Sequence, residues 1–346
     1  MKTISCIDLF CGVGGLTHGL HLEGVSVAAG IDLDPACKFP YESNNQAKFL
    51  NKDISKVKSK ELIELFGDAD IKVLAGCAPC QPFSTYAQRY ADDDDSRWGL
   101  LYQFFRLVKG TEPDIVTMEN VPTVVKHKVF KDFSKGLERL GYTVWFDVVD
   151  SSKYGVPQSR RRTVLLASKH GKLQLIPPIR EKPKTVRQAI GRLRPLSAGE
   201  AYERDKLHVS ATLSDTNLRR IRVSKPGGTW RDWPESLVAA CHRVESGKTY
   251  AGVYGRMEWD KPAPTMTTQC FGFGNGRFGH PEQDRAISLR EAAILQSFPR
   301  TYKFLSTGQP VNFKALGRLI GNAVPVDLGR AIGKSIKIHI KNIKAE

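Results

Sequence analysis

The feature that most constrains this chain is its first apolar run. Residues 4–10 read as a short buried strand that breaks at Cys11-Gly12-Val13-Gly14-Gly15, after which a helical stretch continues to Leu22. A strand, a glycine turn and a helix in that order make half of a βαβ unit, and the helix needs a parallel neighbouring strand to pack over. The unit repeats. Residues 25–31 read as a second strand, and Asp32-Leu33-Asp34-Pro35 opens another helix. Residues 73–75, 115–118, 141–149 and 163–167 read as further strands, with helical periods such as 100–109 between them. The alternation predicts an α/β fold built on a doubly wound, mostly parallel sheet.

The texture changes near Pro177. Residues 180–285 are rich in Gly, Pro, Arg and Trp and show no long apolar helical period. They carry 19 Lys and Arg against 12 Asp and Glu, with glycine turns at Pro226-Gly227-Gly228 and across residues 271–277. This reads as a smaller, loop-rich domain set into the first: residues 1–179 as the first domain, 180–285 as the insert, and 286–346 as the return to the first. Helical periodicity resumes at 289–296, and a last helix begins near residue 326. Residues 336–344 alternate apolar and basic, which leaves helix and strand both open.

Charge narrows the class of partner. The chain of 346 residues has 52 Lys and Arg against 36 Asp and Glu, a net charge of +16. Such an excess on a globular composition points to a polyanion, most often nucleic acid. No stretch approaches the roughly 18 apolar residues of a membrane span, and no secretory signal is visible. Seven cysteines without a paired framework fit a reducing compartment. A cytoplasmic protein is expected.

Five motifs carry chemistry. In Asp8 to Gly15, glycines after a strand let the backbone approach a ligand at a helix N-terminus. The G-x-G-x-x-G dinucleotide pattern fails, because Thr17 stands at its last position. Asp32 is placed to accept from ribose hydroxyls and Asp53 from an adenine amine, which suits an adenosyl group with an amino-acid tail. Gly76-Cys77-Ala78-Pro79-Cys80-Gln81-Pro82-Phe83-Ser84 is a proline-stiffened loop after a strand. Its C-x-x-C could serve redox chemistry or half a zinc site, but no second C-x-x-C exists. A nucleophilic thiolate fits better. Met118-Glu119-Asn120-Val121-Pro122 puts a carboxylate at a strand end, where it can hold or deliver a proton. Gln158-Ser159-Arg160-Arg161-Arg162 leads into a strand whose alternation points Arg160 and Arg162 to one face. Gly321-Asn322-Ala323-Val324-Pro325 is a turn before the last helix.

In this order the motifs resemble those of the DNA cytosine-5 methyltransferase family, of the bacterial restriction–modification type, over nearly the whole chain. Residues 290–299 (R-E-A-A-I-L-Q-S-F-P) match a further family motif. The resemblance implies the S-adenosylmethionine-dependent methyltransferase fold with a smaller target-recognition domain. It implies methyl transfer from S-adenosylmethionine to C5 of a cytosine flipped out of a specific duplex sequence, leaving S-adenosylhomocysteine, with no metal. Cys80 would add to C6 as nucleophile, Glu119 would support protonation at N3, and Arg160 and Arg162 would contact the base or a nearby phosphate. Phe10 and Leu33 would flank the adenine. Gly12, Gly14 and Gly15 would seat the methionine end, and Ile54, Pro79, Leu100 and Asn322 would complete the pocket. Within the insert, Lys225, Arg231, Arg256, Thr265 and Arg277 are the candidate DNA ligands, while Trp230 and Trp233 read as core. The partners implied are double-stranded DNA and, left open, a cognate restriction endonuclease, with the chain acting as a monomer. An RNA cytosine-5 methyltransferase of the same fold and a catalytically dead DNA-binding regulator stand as the alternatives.

Overall fold

The structure is a computed structural model that describes residues 2–79 and 99–343. The chain divides into two compact units. The first comprises residues 1–154, 161–179 and 324–346, and the second comprises 155–160 and 180–323.

The first unit is the expected alternating fold. In chain order it contains β1 (Ile4–Leu9), α1 (Gly15–Leu22), β2 (Val27–Asp32), α2 (Lys38–Asn44), β3 (Lys48–Asn51), α3 (Ser59–Phe66) and β4 (Ile71–Gly76). After the undescribed stretch come α4 (Gly99–Thr111), β5 (Ile115–Asn120), α5 (Lys128–Arg139), β6 (Thr143–Asp150) and β7 (Arg161–Ser168). The sheet order is β3-β2-β1-β4-β5-β7-β6. Strands from β3 to β5 run parallel, whereas β7 is antiparallel to both β5 and β6. Strand order reverses beside β1, so the loops leaving β1 and β4 open next to each other, with Leu9 in register with Gly76 and Gly76 with Met118. In open α/β sheets that reversal is where ligands bind.

Apolar clusters cover both faces of the sheet, one built around Leu74, Phe104 and Phe133, the other around Leu20, Val73 and Ile332. The second face is closed by the C-terminal helix Val326–Asn342, so the stretch left open between helix and strand is helical from residue 336 to Asn342. This helix lies so close to α1 that a Cβ on Gly19 would stand 2.5 Å from the Val326 carbonyl oxygen. Only glycine permits that approach.

The second unit has little regular structure among the described residues. It holds the two-stranded pair Ala201–Tyr202 and Asp205–Val209, five short α-helices, four 3-10 turns, and isolated bridges such as Gln158 with Ala263 and Arg256 with Gly279. Its apolar cluster is Ile221, Trp230, Trp233, Leu237, Phe273 and Ala286, so both tryptophans are core residues. The unit extends past residue 285, where the sequence placed the return to the first domain. Every residue of the helix Leu289–Leu295 is buried, and its charged members pair inside the unit: Arg285 with Glu291, and Arg290 with Asp205. Among the described residues no helix is long and apolar enough to cross a membrane.

Candidate active site

Four carboxyl-end features of the sheet meet in the first unit. The first is the turn after β1. Phe10 adopts φ 58°, Gly12 φ 53° and Gly14 φ 86°. For a residue with a Cβ, as in Phe10, this left-handed region costs of order 1–3 kcal/mol and is kept where surrounding structure enforces it. Among the described residues nothing lies within 4 Å of the Cβ position of Gly12, so the backbone there faces open space.

The second feature is Asp32 at the end of β2. Its Oδ2 accepts from the Gly12 amide at 2.9 Å and its Oδ1 from the Asp34 amide at 2.9 Å, which ties the glycine turn to the acid. Burial pushes the Asp32 carboxyl above its usual range, against the pull of those two amides. Each carboxylate oxygen keeps a further lone pair for a hydroxyl. Beside it Leu33 is 69% exposed, an apolar side chain held out toward solvent. Its loop is pinned by the Asn51 side chain, which donates to the Asp32 and Leu33 carbonyls. Asn51 has a positioning role the sequence did not suggest. Asp53, one strand over, accepts from the Ser55 amide at 2.9 Å, and that bond holds its carboxyl below the usual range. Ile54 is buried in the core and touches this region through its backbone, whose carbonyl accepts from Arg106.

The third and fourth features are the loop after β4 and the end of β5. Cys77 donates its backbone N–H to the Leu9 carbonyl at 3.2 Å, fastening this loop to β1. Asn120 donates from Nδ2 to the Ala78 carbonyl at 3.1 Å, fastening it to β5. Glu119, 3% exposed, receives the Cys77 thiol on Oε2 at 2.8 Å and lies 3.0 Å through Oε1 from Nε of Arg162 on β7. Pro79 and Leu100 stand at the two edges of the undescribed stretch, exposed and half-buried respectively. Cys80 lies outside the described residues.

A strained glycine turn, an acid gripping that turn and a buried glutamate beside a proline-stiffened loop form one constellation. The family model for C-5 cytosine-specific DNA methylases matches residues 4–338. The chain belongs to this family. It is 56% identical over 342 residues to the Type II methylase M.HgiDII of Herpetosiphon aurantiacus, across 97% of this chain and 96% of that protein. It is 32% identical over 345 residues to the Type II methyltransferase M1.HphI of Haemophilus parahaemolyticus, across 96% and 87%. A crystal structure of a candidate DNA modification methyltransferase encoded within an E. coli prophage superposes with a TM-score of 0.75, covering 98% of this chain and 100% of that one. At 22% identity this likeness shows a shared fold.

In this DNA cytosine-5-methyltransferase the basic motif divides between the units. Strand β7 begins at Arg161, so the alternation expected to align Arg160 with Arg162 does not extend to Arg160. Arg162 belongs to the first unit, against Glu119. Arg160, 4% exposed, belongs to the second and donates from Nη1 to the Met266 carbonyl at 3.1 Å. Around it runs a buried amide network that the sequence did not reveal. Gln158 donates to the Leu295 carbonyl and to Gln296 Oε1 and receives the Met266 amide, while Gln296 donates to the Ile320 carbonyl at 2.8 Å. Three sequence motifs are thereby stitched into one turn cluster, which ends at Asn322, exposed at the last position of the helix Phe313–Asn322.

The candidate DNA ligands fall into two kinds. Arg256 is a correction: it is 4% exposed, and its guanidinium donates to the carbonyls of Ile221, Ser224, His280 and Gln283 and pairs with Asp284. It clamps backbone and has no donor directed to solvent. Lys225 is exposed. Arg231 is exposed, stacked over Trp230 with one bond to the Lys248 carbonyl. Thr265 is half-buried and donates to the Ser159 carbonyl, and Arg277 is half-buried on the Gly228 carbonyl. Among the described residues no group of three His, Cys, Asp or Glu side chains is placed to hold a metal ion.

Proposed function

We propose that this enzyme methylates C5 of a cytosine flipped out of a specific duplex DNA sequence, using S-adenosylmethionine and Cys80 as nucleophile. The observation that carries the reading is the buried Glu119. It is set between Arg162 and the loop that leads to Cys80, beside the glycine turn that Asp32 grips.

The residues suit the cofactor. Open space over Gly12 admits a ligand against backbone, Asp32 and Asp53 offer acceptors, and exposed Leu33 and strained Phe10 offer apolar surface for an adenine. When bound, S-adenosylmethionine supplies an electrophilic methyl group on a sulfonium. The protein's own work is to make C5 nucleophilic. The Cys80 thiolate adds to C6, and the displaced π electrons move toward N3, where Glu119 delivers a proton. Arg162 offers its charge to the same region and steadies the electron density that develops. After methylation a base removes the C5 proton, the C5–C6 double bond reforms, the Cys80–C6 bond breaks to return the thiolate, and N3 gives its proton back to Glu119. A stacked base exposes none of these atoms, so extrusion from the helix precedes the chemistry.

The second unit would choose the sequence, with Lys225, Arg231, Thr265 and Arg277 as its contacts and Arg256 excluded. The Type II names of the relatives support a restriction endonuclease as biological counterpart. The test is 5-methylcytosine sequencing of DNA from cells expressing the protein or its Cys80→Ser variant, with transfer RNA as the rival substrate. One modified DNA motif is expected, absent in the variant. Transfer to RNA alone, or full activity of Cys80→Ser, would overturn the reading.

A further inference from the structure

Glu119 presents two carboxylate oxygens in different states. Oε2 receives the Cys77 thiol at 2.8 Å. Oε1 is buried, lies 3.0 Å from Arg162 Nε, and among the described residues accepts no hydrogen bond of good geometry. A carboxylate on a freely turning Cγ–Cδ bond would offer its oxygens interchangeably. Here one oxygen is tethered from the β4 loop and the other is left with acceptor capacity beside a guanidinium. The tether is itself held, since Cys77 N–H is fixed to Leu9 O and the same loop is fixed by Asn120 to Ala78 O.

We propose that Cys77 is a positioning residue for the methyl-transfer reaction: its thiol holds Oε2 of Glu119, so that Oε1 is the oxygen that meets the target base. The first cysteine of the C-x-x-C is therefore neither a redox partner nor a metal ligand. It orients the acid, and it makes no contact with the base. A general acid works only within hydrogen-bond reach of the atom it serves, and fixing its rotation keeps it there. Serine at this position retains an O–H donor of similar reach, whereas alanine removes the donor and leaves the carboxylate free to turn.

The inference rests on the reading of Glu119 as the acid, and the experiment separates the two. Full-length wild type, Cys77→Ser, Cys77→Ala and Glu119→Gln are compared on bacterial DNA lacking 5-methylcytosine. Single-turnover methyl transfer is measured at saturating cofactor, and S-adenosylhomocysteine affinity by calorimetry. Cys77→Ala is expected to slow transfer by roughly 10- to 100-fold, the range a misplaced group costs, with affinity for the cofactor product kept. Cys77→Ser is expected to recover most of the rate. A Cys77→Ala enzyme as fast as wild type overturns the proposal, as does a Cys77→Ser as slow as Cys77→Ala. Loss of cofactor-product binding along with rate overturns it too, because that marks a merely structural cysteine. A fully active Glu119→Gln would instead overturn the reading of Glu119 itself, whatever the Cys77 variants do.

Discussion

The two units solve the same problem in opposite ways. In the first, backbone polar groups pair in a seven-stranded ladder, and side chains are free to pack apolar clusters on both faces. In the second, the backbone forms few ladders, and buried polar side chains take up its carbonyls. Arg256 caps four of them, Gln296 reaches the turn at residues 320–323, and His208 bonds the Arg194 carbonyl. A buried carbonyl without a partner is costly, so a loop-rich unit needs such donors to exist at all. The lesson is that arginines in a basic, loop-rich segment divide into scaffold and surface, and burial separates them where residue type cannot.

The sharpest way to break the comparison is to strike the second unit at its ionic centre. Arg285 and Glu291 are 0% and 1% exposed and form a two-point pair at 2.7 and 2.8 Å. Arg285→Met leaves a buried charge uncompensated, and a loss of about 3–5 kcal/mol is expected. Adding Glu291→Gln removes that charge while keeping an acceptor for the Ser288 amide, and should recover much of the loss. Segment-resolved hydrogen exchange should place the damage within residues 180–323. Equal loosening of β1 and β4 would show that the units do not stand apart in stability.

In the first unit the equivalent strike is on ligand binding. Asp32→Ala removes an acceptor that a bound ribose would use in ground and transition states alike, so cofactor affinity should fall about 10- to 100-fold, the worth of a hydrogen bond to a charged group. The rate at saturating cofactor should change far less. Titration calorimetry with single-turnover kinetics reads both quantities, and a lost rate at full affinity would remove Asp32 from the pocket.

Acid should drive the two units in opposite directions. Burial raises Asp8 to about 7, against the Thr17 hydrogen bond that favours its charged form, with Asp32 pushing it further up. A folded pKa above the unfolded one means stability present below about pH 4 and lost as pH rises through 7. Burial lowers His280 to about 4, with Glu291 opposing and Arg285 and Arg256 assisting. The folded form then resists protonation, so stability is lost as pH falls from about 6.5 toward 4. Glu291 adds to this at lower pH: burial would raise it, but Arg285 holds it at about 2, so its contribution fades as pH falls from about 4.5 toward 2. Moving from pH 7.5 to 5.5 should therefore tighten exchange protection around β1 and α1 and loosen it around His280. Both regions shifting the same way would break the contrast.

The difference also explains what the sequence made legible. The strands Ile4–Leu9, Val27–Asp32, Ile71–Gly76 and Ile115–Asn120 overlap the apolar runs read at 4–10, 25–31, 73–75 and 115–118, because a short buried run is a local pattern. Short β3 escaped, because Lys48–Asn51 has one fully buried residue and takes its pairing from β2. The assignment of 286–323 went astray for a physical reason. The period of the helix Leu289–Leu295 looks like any core helix, while its allegiance is fixed by ion pairs to residues as distant as Asp205. Contacts of Glu119 with Cys77 and Arg162, and of Gln158 with Gln296, are likewise products of packing.

The smallest expected effect tests the division of arginines and lysines itself. Lys225 is exposed, and if it meets a phosphate, Lys225→Ala should weaken binding to every duplex alike and reduce the salt-dependence slope by about one. Arg277 gives Nη1 to the Gly228 and Arg256 carbonyls, and among the described residues its Nε and Nη2 donate to no protein group, which would leave them for a base. Arg277→Ala should then cost roughly 1–3 kcal/mol on the preferred sequence and relax choice at one position. Arg256→Met should do neither: as a backbone clamp it should lower the unfolding temperature and leave the salt slope of the folded fraction intact. Methylation profiles on randomised duplexes, taken at several salt concentrations, distinguish the three signatures. If Arg256→Met reduced the salt slope while Lys225→Ala left it unaltered, burial would have misassigned the scaffold, and the DNA-facing surface of the second unit would lie elsewhere.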